Sequence, residues 1–185
     1  MPRLVIVLPL TPLEVGAGFA VAEWPLHVTV LAPFHTDASP ADIGAALRSA
    51  VADQHPLDLI AGADELFGRR HDIPVSVLLP HPGLSRLHDA VVDAIRPFAA
   101  DPAEPAFTGP NFRAHVTHKP PARLHPGDAL TLTQIALVDM VPRAHAAGRT
   151  VLAAHPLPSP LPSANCELSP ENPEFSVLKS QLADR

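Results

Sequence analysis

Hydrophobic and polar positions change period several times along the 185-residue chain, and each change predicts an element. Residues 3–9 form a run that is apolar after Arg3 and rich in β-branched side chains, the pattern of a strand covered on both faces. A loop of about 15 residues with Gly16 and Gly18 follows, then a second strand over 26–32. From Ser39 the period lengthens. Ser39 suits an N-cap, Pro40 suits the first helical position, and Ile43, Leu47 and Val51 recur at helical spacing to residue 53. After Pro56, strands over 57–67 and 73–79 are joined by the hairpin-sized turn 68–72. Leu84, Leu87, His88, Val91, Ile95 and Phe98 predict an amphipathic helix over 83–99. Strands over 112–119, 129–140 and 149–155 complete the order, which is that of an α+β protein.

Beyond Pro156 the pattern stops. Four prolines from 156 to 162 forbid a regular element, and the largely polar remainder carries one short apolar stripe, Phe175, Val177, Leu178 and Leu182. The expected organisation is one domain over 1–157 and a Pro-rich C-terminal extension over 158–185, ending in a short helix at 174–183.

Composition narrows the class of partner. A net charge of −6 and a pI near 5.9 argue against a basic stripe for extended duplex nucleic acid, so small phosphate esters are the better-suited ligands. A single cysteine, Cys166, excludes an internal disulfide and fits a reducing compartment. No run is long enough to cross a bilayer, and Pro9, Pro12 and Glu14 interrupt the N-terminal apolar stretch, so no secretory leader is expected. The expectation is a cytoplasmic monomer that meets no membrane.

The candidate chemistry lies in a repeated tripeptide, His27-Val28-Thr29 and His115-Val116-Thr117, the two histidines 88 positions apart. Each copy falls in a predicted strand, where residues two apart share a face, so each offers one imidazole and one hydroxyl to the same side. In-line displacement at a phosphodiester needs a base for the nucleophile, an acid for the leaving oxygen and donors for the equatorial oxygens. His27 and His115 supply the first two near neutral pH, and Thr29 and Thr117 the third. No metal or other cofactor is demanded. Arg113 and Lys119 alternate with His115 and Thr117 and are candidate phosphate contacts. Trp24, Phe34 and Phe112 flank the motifs and are candidate base-stacking platforms. His118 should face away from His115 and find a hydrogen-bond partner. The remaining histidines, 35, 55, 71, 81, 88, 125, 145 and 155, show no metal-ligand spacing.

The paired motif resembles the two-histidine phosphoesterase superfamily, the group of bacterial 2'-5' RNA ligase-like proteins and cyclic nucleotide phosphodiesterases. The resemblance covers roughly residues 3–157. It implies two pseudo-symmetric lobes with largely antiparallel sheets flanking a central cleft and helices outside. It also implies metal-independent hydrolysis of 2',3'-cyclic phosphates of nucleotides or RNA ends, giving the 2'-phosphate. Two alternatives stand beside it. One is a 2'-5' phosphodiesterase or ligase acting on short oligonucleotides or cyclic dinucleotides, and the other is a non-catalytic module that holds a nucleotide or RNA end. His118 departs from the family pattern, which carries an aliphatic residue there.

Overall fold

A computed structural model of the chain describes residues 1–103, 105–107, 112–140 and 148–158. In chain order these form β1 (Arg3–Pro9), β2 (Gly18–Phe19), β3 (His27–His35), α1 (Pro40–Ala50), β4 (Leu57–Phe67), β5 (Ile73–Leu78), α2 (Pro82–Ile95), β6 (His115–Thr117), β7 (Ala129–Leu132), β8 (Gln134–Asp139) and β9 (Arg149–Pro156). Short 3-10 turns occupy Arg96–Phe98 and Pro105–Phe107.

The strands join in one sheet of order β2-β9-β8-β1-β3-β6-β5-β4-β7, and every registered pair is antiparallel. Both motif strands, β3 and β6, are therefore interior neighbours, with strands of the N- and C-terminal segments on one side and the β4–β5 hairpin on the other. The sheet must also curl. β7 and β8 are separated by Thr133 alone yet stand six strands apart, a distance of roughly 29 Å in a flat sheet at ~4.8 Å per strand. Two residue steps span at most about 7 Å, so the sheet bends round into a half-barrel with two lobes.

The apolar run in β1 has a physical reason. Leu4, Ile6 and Leu8 pack in the main core with Ile43 and Leu47 of α1 and Leu84, Leu87, Val91 and Ile95 of α2. Val5 and Val7 face the other way, in a second cluster with Leu13, Trp24, Ala136, Val138 and Val151. Each fully buried Val, Leu or Ile contributes about 1.5–3 kcal/mol, so a strand covered on both faces carries no polar alternation. The helix starts follow the residue chemistry as well. Ser39 Oγ accepts from the Asp42 amide (3.2 Å) at the head of α1, and His81 Nδ1 accepts from the Leu84 amide (3.2 Å) at the head of α2.

Several expectations need correction. The strand over 129–140 is broken at Thr133, because its first half pairs with β4 and its second with β1 and β9. The second motif strand is regular only over His115–Thr117, not 112–119. β2, a two-residue partner of β9, lies in a stretch read as loop, and the second helix gives way to a 3-10 turn after Ile95. Residues 159–185, with the expected helix at 174–183, lie outside the described residues. Among the described residues, no helix is long and apolar enough to cross a membrane.

Candidate active site

Pairing register brings the two tripeptides together. Val28 stands opposite Val116, and both valines are buried in the main core. In an antiparallel pair the flanking residues then match as His27 with Thr117 and Thr29 with His115, all four on the face away from the valines. The result is a square with imidazoles at one pair of opposite corners and hydroxyls at the other. Diagonal neighbours in such a pair lie roughly 7–8 Å apart, a gap that admits one phosphate group between the rings. Neither threonine hydroxyl has a hydrogen-bond partner among the described residues.

Each imidazole is oriented by the same local bond. His27 Nδ1 donates to the Pro25 carbonyl and His115 Nδ1 donates to the Arg113 carbonyl, each at 2.7 Å and each two residues upstream. A carbonyl has no proton to give, so Nδ1 carries the hydrogen in both neutral rings and Nε2 is the basic nitrogen of each.

The surroundings of the two rings differ. His27 stacks on Trp24, ring centroids 3.9 Å apart, and burial lowers its pKa to about 4. The bond to Pro25 opposes that shift, while the positive charges of Lys119, His115 and Arg149 reinforce it. Lys119 and Arg149 lie over the Trp24 ring, at 5.8 and 5.4 Å from its centroid. Lys119 Nζ donates to the Val21 carbonyl (3.0 Å), and burial, with Arg149 nearby, lowers its pKa. His115 instead meets the Phe67 ring, tilted at 4.7 Å. Beside His115 and Thr29 opens a cavity of about 720 Å³, lined also by Phe67, His88, Phe112 and Arg113.

The other sequence candidates fall in different places. One N–H of the Arg113 guanidinium donates to Glu65 (2.7 Å) and the group lies over the Phe67 ring (5.0 Å), while the side chain lines the cavity beside His115. Phe34 is sealed in the core against Phe107, with no exposed face for a base, which corrects the stacking expectation. The Trp24 ring is taken up by His27 and two cations and orients the imidazole rather than presenting a free platform. Phe112 does line the cavity, stacked at 4.0 Å on His88. His118 faces the opposite side, where Nε2 lies 2.8 Å from Ser76 Oγ, itself 3.0 Å from Asp64 Oδ1. Phe67, Glu65 and Arg149 were not singled out by the sequence, and His88 was read only as part of a helical stripe. Among the described residues, no three His, Cys, Asp or Glu side chains gather as metal ligands.

A family model described as the 2'-5' RNA ligase superfamily matches residues 11–135, and the chain belongs to that superfamily of two-histidine phosphoesterases. Solved structures share its fold. A protein described as a phosphoesterase aligns with a TM-score of 0.54 at 19% identity, over 85% of this chain and 99% of its own. E. coli LigT complexed with 3'-AMP gives 0.51 at 20%, over 85% and 99%. TT0787 of Thermus thermophilus gives 0.55 at 18%, over 85% and 98%. Comparison with curated proteins gave no match.

Proposed function

We propose that the chain is a metal-independent phosphodiesterase that opens 2',3'-cyclic phosphates of nucleotides or RNA ends, with His27 as general base and His115 as general acid. The observation that carries this reading is the diagonal placement of two imidazoles, each with Nδ1 tied to a carbonyl and Nε2 left for proton transfer. The assignment of roles follows from the asymmetry around them. Burial keeps His27 neutral at pH 7, the form a base needs. The cavity opens on the His115 side, so a nucleoside seated there brings its ribose oxygen to His115 and leaves the opposite side of the phosphorus to water.

In the proposed step, water gives a proton to His27 Nε2 while its oxygen bonds to phosphorus. The bond from phosphorus to the ribose 3'-oxygen breaks, and that oxygen takes the proton from His115 Nε2, leaving a 2'-phosphate. Thr29 and Thr117 donate to the equatorial oxygens, and Lys119, with two N–H donors beyond its bond to Val21, offsets the charge. LigT has been crystallised with 3'-AMP, NADP+ and ATP, which favours a small nucleotide as ligand here too.

A second reading rests on a further cavity of about 340 Å³ that shares Glu65, Phe112 and Arg113 with the first. It would house the second nucleotide of a 2'-5' linked dimer, cleaved or joined by the same pair of histidines.

Incubation with the four 2',3'-cyclic mononucleotides and a 2'-5' dimer, with and without chelator, tests both. We expect 2'-nucleotides at a rate insensitive to chelator. His27→Ala and His115→Ala should each cost roughly 10²–10⁴-fold in kcat while circular dichroism stays native. Turnover of the dimer alone would select the second reading. Loss of activity on chelation, or full activity in either variant, would overturn the mechanism.

A further inference from the structure

Arg113 stands at the border of two cavities. With Glu65 and Phe112 it lines both the cavity of about 720 Å³ beside Thr29 and His115 and the neighbouring one of about 340 Å³. None of the four motif side chains lines the second cavity, so the border marks where the site passes from the reacting phosphate to whatever lies beyond it. The Arg113 side chain is 54% exposed, and a ligand reaches it without unpacking the fold. Of the five N–H donors in its guanidinium fork, one goes to Glu65 Oε1 at 2.7 Å, and the others have no partner among the described residues. An ion pair this open is worth little, so Glu65 steers the fork without sealing it. In a chain of net charge −6, such a cation is a local feature rather than a piece of a basic stripe.

Two cavities with a cation between them suit two nucleosides with a phosphate between them. A terminal nucleoside in the first cavity presents its cyclic phosphate to the histidines, and its 5'-oxygen, at the other end of the ribose, carries the next phosphate. Resting on the cyclic-phosphate reading, we propose that Arg113 binds this next phosphate and that the second cavity receives the nucleoside before it, so that the enzyme acts on RNA ends in preference to mononucleotides. A phosphodiester has two unbridged oxygens, which match a planar fork of donors. Val77, Leu79, Pro80 and Leu84, with the Phe112 ring, give the second cavity the apolar wall that a planar base packs against.

Three substrates separate the parts: adenosine 2',3'-cyclic phosphate, the same nucleotide with a 5'-phosphate, and a 3'-5' linked adenosine dinucleotide ending in the cyclic phosphate. Adding the 5'-phosphate should raise kcat/KM roughly tenfold, the effect of a hydrogen bond to a charged group, and the dinucleotide should gain roughly fivefold more from its second base. Arg113→Gln keeps an N–H for Glu65 but no charge, and should bring the two mononucleotides close together. For the phosphorylated one it should also flatten the fall of log kcat/KM with log salt by roughly 0.7, as when one phosphate contact is lost. Ser85→Trp, at an exposed position of α2 on the wall of the second cavity, should erase only the dinucleotide's further gain. Equal wild-type rates on all three substrates would overturn the proposal while leaving the cyclic-phosphate reading intact. So would a dinucleotide no faster than the phosphorylated mononucleotide, or an Arg113→Gln variant that slows all three alike, since the guanidinium would then serve the reacting phosphate. If no cyclic phosphate is turned over, that reading fails instead. Calorimetric affinities for adenosine 2'-monophosphate and adenosine 2',5'-bisphosphate then decide this one, equal affinity overturning it.

Discussion

His27 shows how a single side chain ties stability to pH in this protein. Its pKa is about 4 in the folded chain, against an ordinary value near 6.5 when unfolded. Between those values the unfolded chain binds a proton that the folded chain does not, so stability is complete above pH 6.5 and falls as the pH drops toward 4. The loss amounts to up to about 3 kcal/mol at 1.36 kcal/mol per pKa unit. His27→Gln should remove it. Urea midpoints at pH 7.5 and 4.5 check this, and equal losses in wild type and variant would refute it. Trp24 covers the His27 ring, so Trp24→Leu should readmit water and raise the imidazole pKa. The acid limb of the pH–rate profile should then move upward, with activity at pH 5 falling relative to pH 7.5. An unmoved limb would mean that the stacked indole is not what keeps His27 neutral.

At the scale of elements, the β4–β5 hairpin brings Phe67 to His115 through a turn that needs glycine. Gly68 has φ +88°, and a Cβ there would lie 3.0 Å from Ile73 Cδ1. Gly68→Ala should cost about 1–2 kcal/mol for the left-handed backbone and shift Phe67, raising KM more than it lowers kcat. Steady-state kinetics beside a thermal melt would show it, and an unchanged KM would separate the turn from the site. Much of this level is legible in the sequence, because strands and helices here follow their own burial period. The run in β1, the stripes of α1 and α2, and the shared face of His27 with Thr29 and of His115 with Thr117 all come from local spacing. What local spacing does not carry is the partner. The break at Thr133 arises because the two halves of one apolar run pair with opposite ends of the sheet. Phe34 flanks the first motif strand like a stacking residue but turns into the core, and His88 lines a cavity whose other walls are supplied by distant segments.

For the whole molecule, the pseudo-symmetric halves meet at the pair of strands that carries the chemistry, and this decides how the chain unfolds. Leu4, Val28 and Leu137 of one half share a single core cluster with Leu57, Leu78 and Leu132 of the other, and both helices pack into it. The sheet continues across β3 and β6 without an edge, and Thr133 alone links β7 at one extreme to β8 within the opposite half. Separating the halves would expose apolar surface on both and strip β3 and β6 of half their ladder, so neither has a folded state of its own to retain. Unfolding in urea should therefore be one transition. Trp24 is the only tryptophan and lies in the second cluster, against Val5, Val7 and Val138, so its fluorescence reports one half of the molecule. Far-ultraviolet circular dichroism reports both halves, and turnover reports their junction. The three midpoints should coincide. A fluorescence midpoint displaced from that of circular dichroism would mean that each lobe holds together alone, and that the histidines can part while both lobes stay folded.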